Sequence, residues 1–134
     1  MDNLEAEFDR CMALARSLLR PEWKYGEAVI LKTEKGNVYS IAIPDYQDPA
    51  VREPLEEQCI QTLLGFGDTA VVLCIATVNA VHPEIPSWHL RSRLVEIDPG
   101  NLQTENFLWG GGDVFYVKPF QRLLPPEKPS QCSL

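Results

Sequence analysis

The sequence holds no Cys-x-x-Cys pair and no His-x-x-x-His pair, and its only two histidines are His82 and His89. A structural zinc site of ordinary ligand spacing is therefore unsupported. The four cysteines, Cys11, Cys59, Cys74 and Cys132, are scattered, and residues 1–18 mix Asp, Glu and Arg through their apolar positions. That start has no export-signal pattern, so a disulfide framework is not expected and the location read from it is cytoplasmic. Cys11, Cys59 and Cys74 sit among apolar neighbours and read as reduced thiols packing like small hydrophobes, whereas Cys132 lies in a polar tail. No run approaches the roughly 18 apolar residues that a membrane span needs, so no membrane partner is expected. Basic charge is scarce: 12 Lys and Arg stand against 19 Asp and Glu, net −7, with no basic cluster. An acidic chain repels phosphate backbones, so nucleic acid is not an expected partner.

What remains is the mix of an ordinary globular chain, 134 residues with 45% hydrophobic and 23% charged. That length suits one domain, expected over residues 1–126, with a polar tail over 127–134. Residues 2–19 read as an amphipathic helix. Asp2 and Glu5 form a capping-box-like start, and Leu4, Phe8, Cys11, Met12, Ala15 and Leu19 recur at helical spacing. Residues 26–32 and 38–43 read as a hairpin around the turn cluster 33–37, which contains Gly36. A second helix is expected to begin at Pro54, where a missing N–H costs nothing, and to end at Gly65 or Gly67. Thr69 to Val78 is almost continuously apolar and β-branched, as in a central strand covered on both sides. Ser87 suits the cap of a short helix over 88–96. Residues 102–109 and 113–118 read as a last hairpin turning through Gly110–Gly112. This order predicts a three-layer α/β/α sandwich around a five-stranded mixed sheet.

Several local words then fall in the order of a known family. Trp23-Lys24-Tyr25-Gly26-Glu27-Ala28-Val29-Ile30 resembles the first-strand segment of the cytidine deaminases, sharing Gly26 and Ala28. Pro86-Ser87-Trp88-His89-Leu90-Arg91, running on to Leu94 and Glu96, resembles their P-C-x-x-C-R helix. Arg122-Leu123-Leu124-Pro125 resembles the E-L-L-P that follows their last strand, and the short glycine link favours the antiparallel last hairpin of the free-nucleoside deaminases. The resemblance covers roughly residues 4 to 126.

The resemblance implies a zinc enzyme, yet the zinc positions are changed. The family's C-A-E-R word falls on Leu55-Glu56-Glu57-Gln58, and its other two ligands fall on Ser87 and Leu90. Two of these are leucines with no electron pair to donate, and serine is a poor zinc ligand at neutral pH. Only the general acid/base carboxylate is matched, by Glu57. Zinc lowers the pKa of a bound water from about 15.7 toward about 7. That difference is on the order of 12 kcal/mol of deprotonation free energy. The family's nucleoside-binding word falls near Ile41 to Tyr46, where Ile43 replaces the ribose-facing Asn and Asp45 stands in for Glu. Neither deamination nor nucleoside binding is therefore expected, and no cofactor is.

The resemblance makes Ile43, Asp45, Leu55, Glu57, Ser87 and His89 the candidate pocket. Each also has a plainer reading. Glu57 reads as a solvated first-turn acid, His89 as a helix-surface residue, His82 as a loop residue and Ser87 as a helix cap. Trp88 and Trp109 read as packing groups. The leading expectation is a metal-free pseudoenzyme that binds a small molecule or serves as an interaction module, self-associating as a dimer or tetramer. One alternative is an acidic immunity- or adaptor-type protein that binds a basic protein through Asp45, Asp48, Glu53, Glu56 and Glu57. Another is a divergent hydrolase or deaminase with a relocated metal held by His82, Glu84, Glu57 and His89.

Overall fold

A computed structural model describes residues 4–123. The Asp2 cap, Leu124-Pro125, the tail 127–134 and Cys132 lie outside the described residues. The elements are α1 (Leu4–Leu18), β1 (Glu27–Thr33), β2 (Val38–Ile43), α2 (Pro49–Phe66), β3 (Val71–Thr77), α3 (Trp88–Ile97), β4 (Glu105–Trp109) and β5 (Phe115–Pro119). Short 3-10 turns cover Pro99–Gln103 and Phe120–Arg122.

The five strands form one mixed sheet in the order β2-β1-β3-β4-β5. β1 pairs antiparallel with both β2 and β3, β3 pairs parallel with β4, and β4 pairs antiparallel with β5. The expected five-stranded mixed sheet with an antiparallel last hairpin is therefore what the chain builds. Period-two alternation explains the layers. Ala28, Ile30, Ile75 and Phe107 pack against Cys11, Met12 and Ala15 of α1 on one side. Val29, Leu31, Ile41, Ile43, Cys74 and Ala76 pack against α2 and α3 on the other, through Cys59, Ile60, Leu63, Leu90 and Leu94. Cys11, Cys59 and Cys74 are buried and unbridged. No described helix is long and apolar enough to cross a membrane.

Two boundaries depart from the sequence reading in ways that matter for the site. α2 starts at Pro49, not Pro54, because Asp48 caps it, its Oδ1 accepting from the Ala50 N–H at 3.0 Å. Pro49 takes the first helical position, and Pro54 lies inside the helix, where it removes one backbone bond. At the other end Gly67, at φ +63°, closes α2, with the Asp68 N–H donating to Leu63 O and the Gly67 N–H to Leu64 O. Residues 102 and 103, expected to open a strand, belong instead to the 3-10 turn Pro99–Gln103. Asp98 caps it, and the buried Asn101 accepts from Val71 N–H at 2.8 Å.

Candidate functional site

The site lies where β3 ends and its following loop leads into α3, at the carboxyl end of the parallel pair β3–β4. Open α/β sheets place ligands at such ends. Ser87 caps α3, its Oγ accepting from the Leu90 N–H at 3.0 Å. The same hydroxyl donates to Glu56 Oε2 at 2.7 Å, which ties α3 to α2. Glu56 is only 1% exposed.

Glu56 is thus the buried carboxylate at the α2–α3 contact, one residue before the Glu57 that the motif carry-over selected. Helix register explains it. Glu56 precedes Cys59, Ile60 and Leu63 by 3, 4 and 7 positions and shares their buried face. Glu57 lies at the more exposed margin of that contact, where it too meets α3. Its two oxygens accept from Arg93 at 2.9 and 2.6 Å, and Gln61 donates to it at 3.0 Å. The Arg93 hydrogen bonds hold its carboxyl down at about 2.

Charge around Glu56 is incompletely matched. Arg52 Nε lies 3.6 Å from Glu56 Oε2 while its other nitrogens donate to Tyr46 O at 2.9 Å and to Glu53 at 3.3 Å. Arg52 Nε, Glu56 Oε1 and His89 Nε2 are buried atoms without a hydrogen-bond partner among the described residues. Burial pushes the Glu56 carboxyl upward, opposed by the Ser87 hydroxyl and by Arg52. Glu27, at the start of β1 and 6% exposed, joins the cluster electrostatically. Burial first, and then the charge of Glu56, push its carboxyl up to about 7, with Arg52 opposing.

The other candidates are dispersed. Leu90 is wholly buried in the core below α3, and so is Ile43 at the end of β2. Leu55 lines a groove of about 330 Å³ between β2 and α2, beside Tyr39, Ile41, Gln58 and Cys59. Asp45 makes a local turn, its Oδ1 accepting from the Gln47 N–H at 2.9 Å. His89 Nε2 lies 3.8 Å from Glu57 Oε1. Glu84 forms a backbone bridge to Ala76, and His82 is stacked on Trp109. Among the described residues no three His, Cys, Asp or Glu side chains are grouped to hold a metal ion.

Sequence reasoning missed Glu56, Arg52 and Glu27 as the buried charges of the site. For Glu56 the apolar face of α2 carried the signal. For Glu27 the signal was an acid opening a strand that is otherwise buried on both sides. Arg52 had none, because helix α2 was expected to begin after it.

No protein-family model matches the chain, and no curated protein matches it. Solved structures do. The cytidine deaminase from Mycobacterium leprae superposes with a TM-score of 0.66 at 17% identity, over 92% of this chain and 99% of that one. The cytidine deaminase from Bacillus anthracis gives 0.64 at 16% identity, over 90% and 89%. That from Burkholderia pseudomallei gives 0.63 at 18% identity, over 90% and 96%. At such identities the likeness is one of architecture: this chain has the cytidine deaminase-like fold.

Proposed function

We propose that this protein is a metal-free, non-catalytic protein on the cytidine deaminase scaffold that works as a self-associating interaction module. One observation carries the reading. Where the family motif calls for metal ligands, Ser87 spends its hydroxyl on Glu56 and on the Leu90 N–H, and the Leu90 side chain is wholly buried.

A catalytic zinc takes three protein donors, drawn from imidazole, thiolate and carboxylate, and keeps one position open. The three motif positions supply the Leu55 and Leu90 hydrocarbons and one hydroxyl, that of Ser87, already engaged on both sides. This donor set does not fit the ion. The Arg52 guanidinium beside Glu56 also brings positive charge to the place where a cation would have to enter. Self-association is supported by Trp88 and Ile85, 50% and 53% exposed on the approach to α3. Aromatic groups of this kind anchor protein interfaces. The cytoplasmic location expected from the sequence belongs to the same proposal.

The test is direct. Purified protein is incubated with cytidine, with and without added zinc, and uridine is measured by chromatography; metal content is measured on the same sample. No turnover and substoichiometric zinc are expected. Zinc-dependent uridine formation, or one zinc per chain, overturns the reading. Light scattering is expected to report an oligomer that Trp88→Ser shifts toward monomer, and a monomeric starting protein removes the self-association half.

A further inference from the structure

A second feature lies away from the Glu56–Ser87 contact. A cavity of about 140 Å³ opens between α1, the loop after β3 and the β4–β5 hairpin. Phe8, His82, Trp109, Phe115, Asp113 and Val114 are among the residues that line it. His82 stacks on Trp109 with centroids 3.9 Å apart, and Phe8 stacks on Phe115 at 4.2 Å.

The rings are held in place by polar contacts. Trp109 Nε1 donates to Gly112 O at 2.9 Å, which fixes the indole against its own hairpin turn. Thr77 Oγ1 donates to His82 O at 2.7 Å, and Asn79 Oδ1 accepts from the Val81 and His82 N–H groups at 2.9 and 3.1 Å. Between them Ala80 sits at φ +59°, a left-handed conformation that costs an alanine energy. The loop thus carries strain in the segment that brings His82 onto Trp109.

Asp113 supplies the charge. It is exposed, and among the described residues it has no hydrogen-bond or ion-pair partner. No lysine or arginine lines the cavity.

We propose that this cavity binds a quaternary or methylated ammonium group. A cation is attracted to the face of an aromatic ring, and Trp109, 46% exposed, keeps one face outside its stack on His82. Asp113 adds a formal opposite charge at the wall. The volume suits one compact cation. It is well below the roughly 300 Å³ at which drug-sized ligand pockets begin, so a nucleoside does not fit. The excess negative charge of the whole chain, −7, favours the approach of a cation. This site is independent of the metal question at α2–α3, so either proposal stands if the other fails.

The probe is choline, set against its neutral carbon isostere, in which a tert-butyl group replaces trimethylammonium. The readout is the Trp109 indole N–H resonance and the Val114 methyl resonances, at constant ionic strength. Choline is expected to shift them saturably with Kd on the order of 10 mM or tighter, and the isostere much less. Asp113→Asn is expected to weaken choline about threefold, as loss of an exposed charge pair does. Trp109→Leu, followed through Val114 and checked for native circular dichroism, is expected to abolish the shift. A trimethyllysine peptide compared with choline and with its unmethylated form separates the sources. Binding of the trimethylated peptide tighter than that of choline assigns the site to a modified protein side chain, choline binding at least as tight assigns it to a free small cation, and equal binding of the methylated and unmethylated peptides counts against the ammonium chemistry. No saturable shift, equal binding of the isostere, or indifference to both substitutions overturns the proposal.

Discussion

Ser87 Oγ and Glu56 Oε2 lie 2.7 Å apart, and this hydrogen bond joins the cap of α3 to the buried face of α2. A charge-assisted bond of this kind, at a nearly inaccessible carboxylate, contributes more than an ordinary one. Ser87→Ala removes both the cap and the donor to Glu56. It is expected to cost about 2 kcal/mol in urea denaturation. Glu57→Gln, one residue away, is expected to cost less than about 1 kcal/mol, since its Arg93 pair is partly exposed and screened by solvent. Equal losses for the two variants would mean that the buried contact carries no special weight.

Glu27 sets a pH dependence. Its folded pKa, about 7, lies above the ordinary carboxylate value of 4.5, so the native chain retains a proton that the unfolded chain releases. The stabilisation is complete below the unfolded value, is lost as pH rises from there through about 7, and then levels off; its size is about 3 kcal/mol. Glu56 is raised as well and acts in the same direction. Glu57 and Asp68, both lowered, work at the acid end, where their contribution fades as pH falls below the carboxylate range. Thermal scans are expected to give a higher Tm near pH 5 than near pH 8. Glu27→Gln is expected to remove most of that difference, and a Tm that rises steadily toward alkaline pH counts against it.

Asp68 ties the first hairpin to the end of α2. Its Oδ2 accepts from Thr33, Asn37 and Tyr39 at 2.9, 2.8 and 2.9 Å, and the residue is 3% exposed. Asp68→Ala leaves these donors without their acceptor and is expected to destabilise the protein by about 3 kcal/mol or more. A loss under about 1 kcal/mol in equilibrium unfolding would show that water replaces the carboxylate there.

Ala80 gives a prediction of opposite sign. At φ +59° its Cβ is strained, and glycine is free of that strain. Ala80→Gly is expected to leave stability unchanged or raise it by up to about 1 kcal/mol, against the usual cost of glycine. A clear destabilisation would mean that the buried Ala80 methyl contributes more by packing than the backbone loses by strain.

The elements and their layering were legible from the chain alone. The apolar run of β1, the doubly covered β3 and the apolar stripe of α1 each specify a local structure and the faces it buries, and together they leave few arrangements. The start of α2 was not legible, because Pro49 and Pro54 both suit a first turn and only the Asp48 cap decides between them. At the site, the motif carry-over named Glu57, whereas the carboxylate that packing buries is Glu56. A helix turns each residue by about 100 degrees, so a shift of one position exchanges a core-facing side chain for a solvent-facing one. The stack of His82 on Trp109, the Ser87–Glu56 hydrogen bond and the raised carboxyl of Glu27 arise only when segments distant in sequence close on each other. Those energies depend on distance and on exclusion of water, which the chain acquires by folding and the order of its residues does not record.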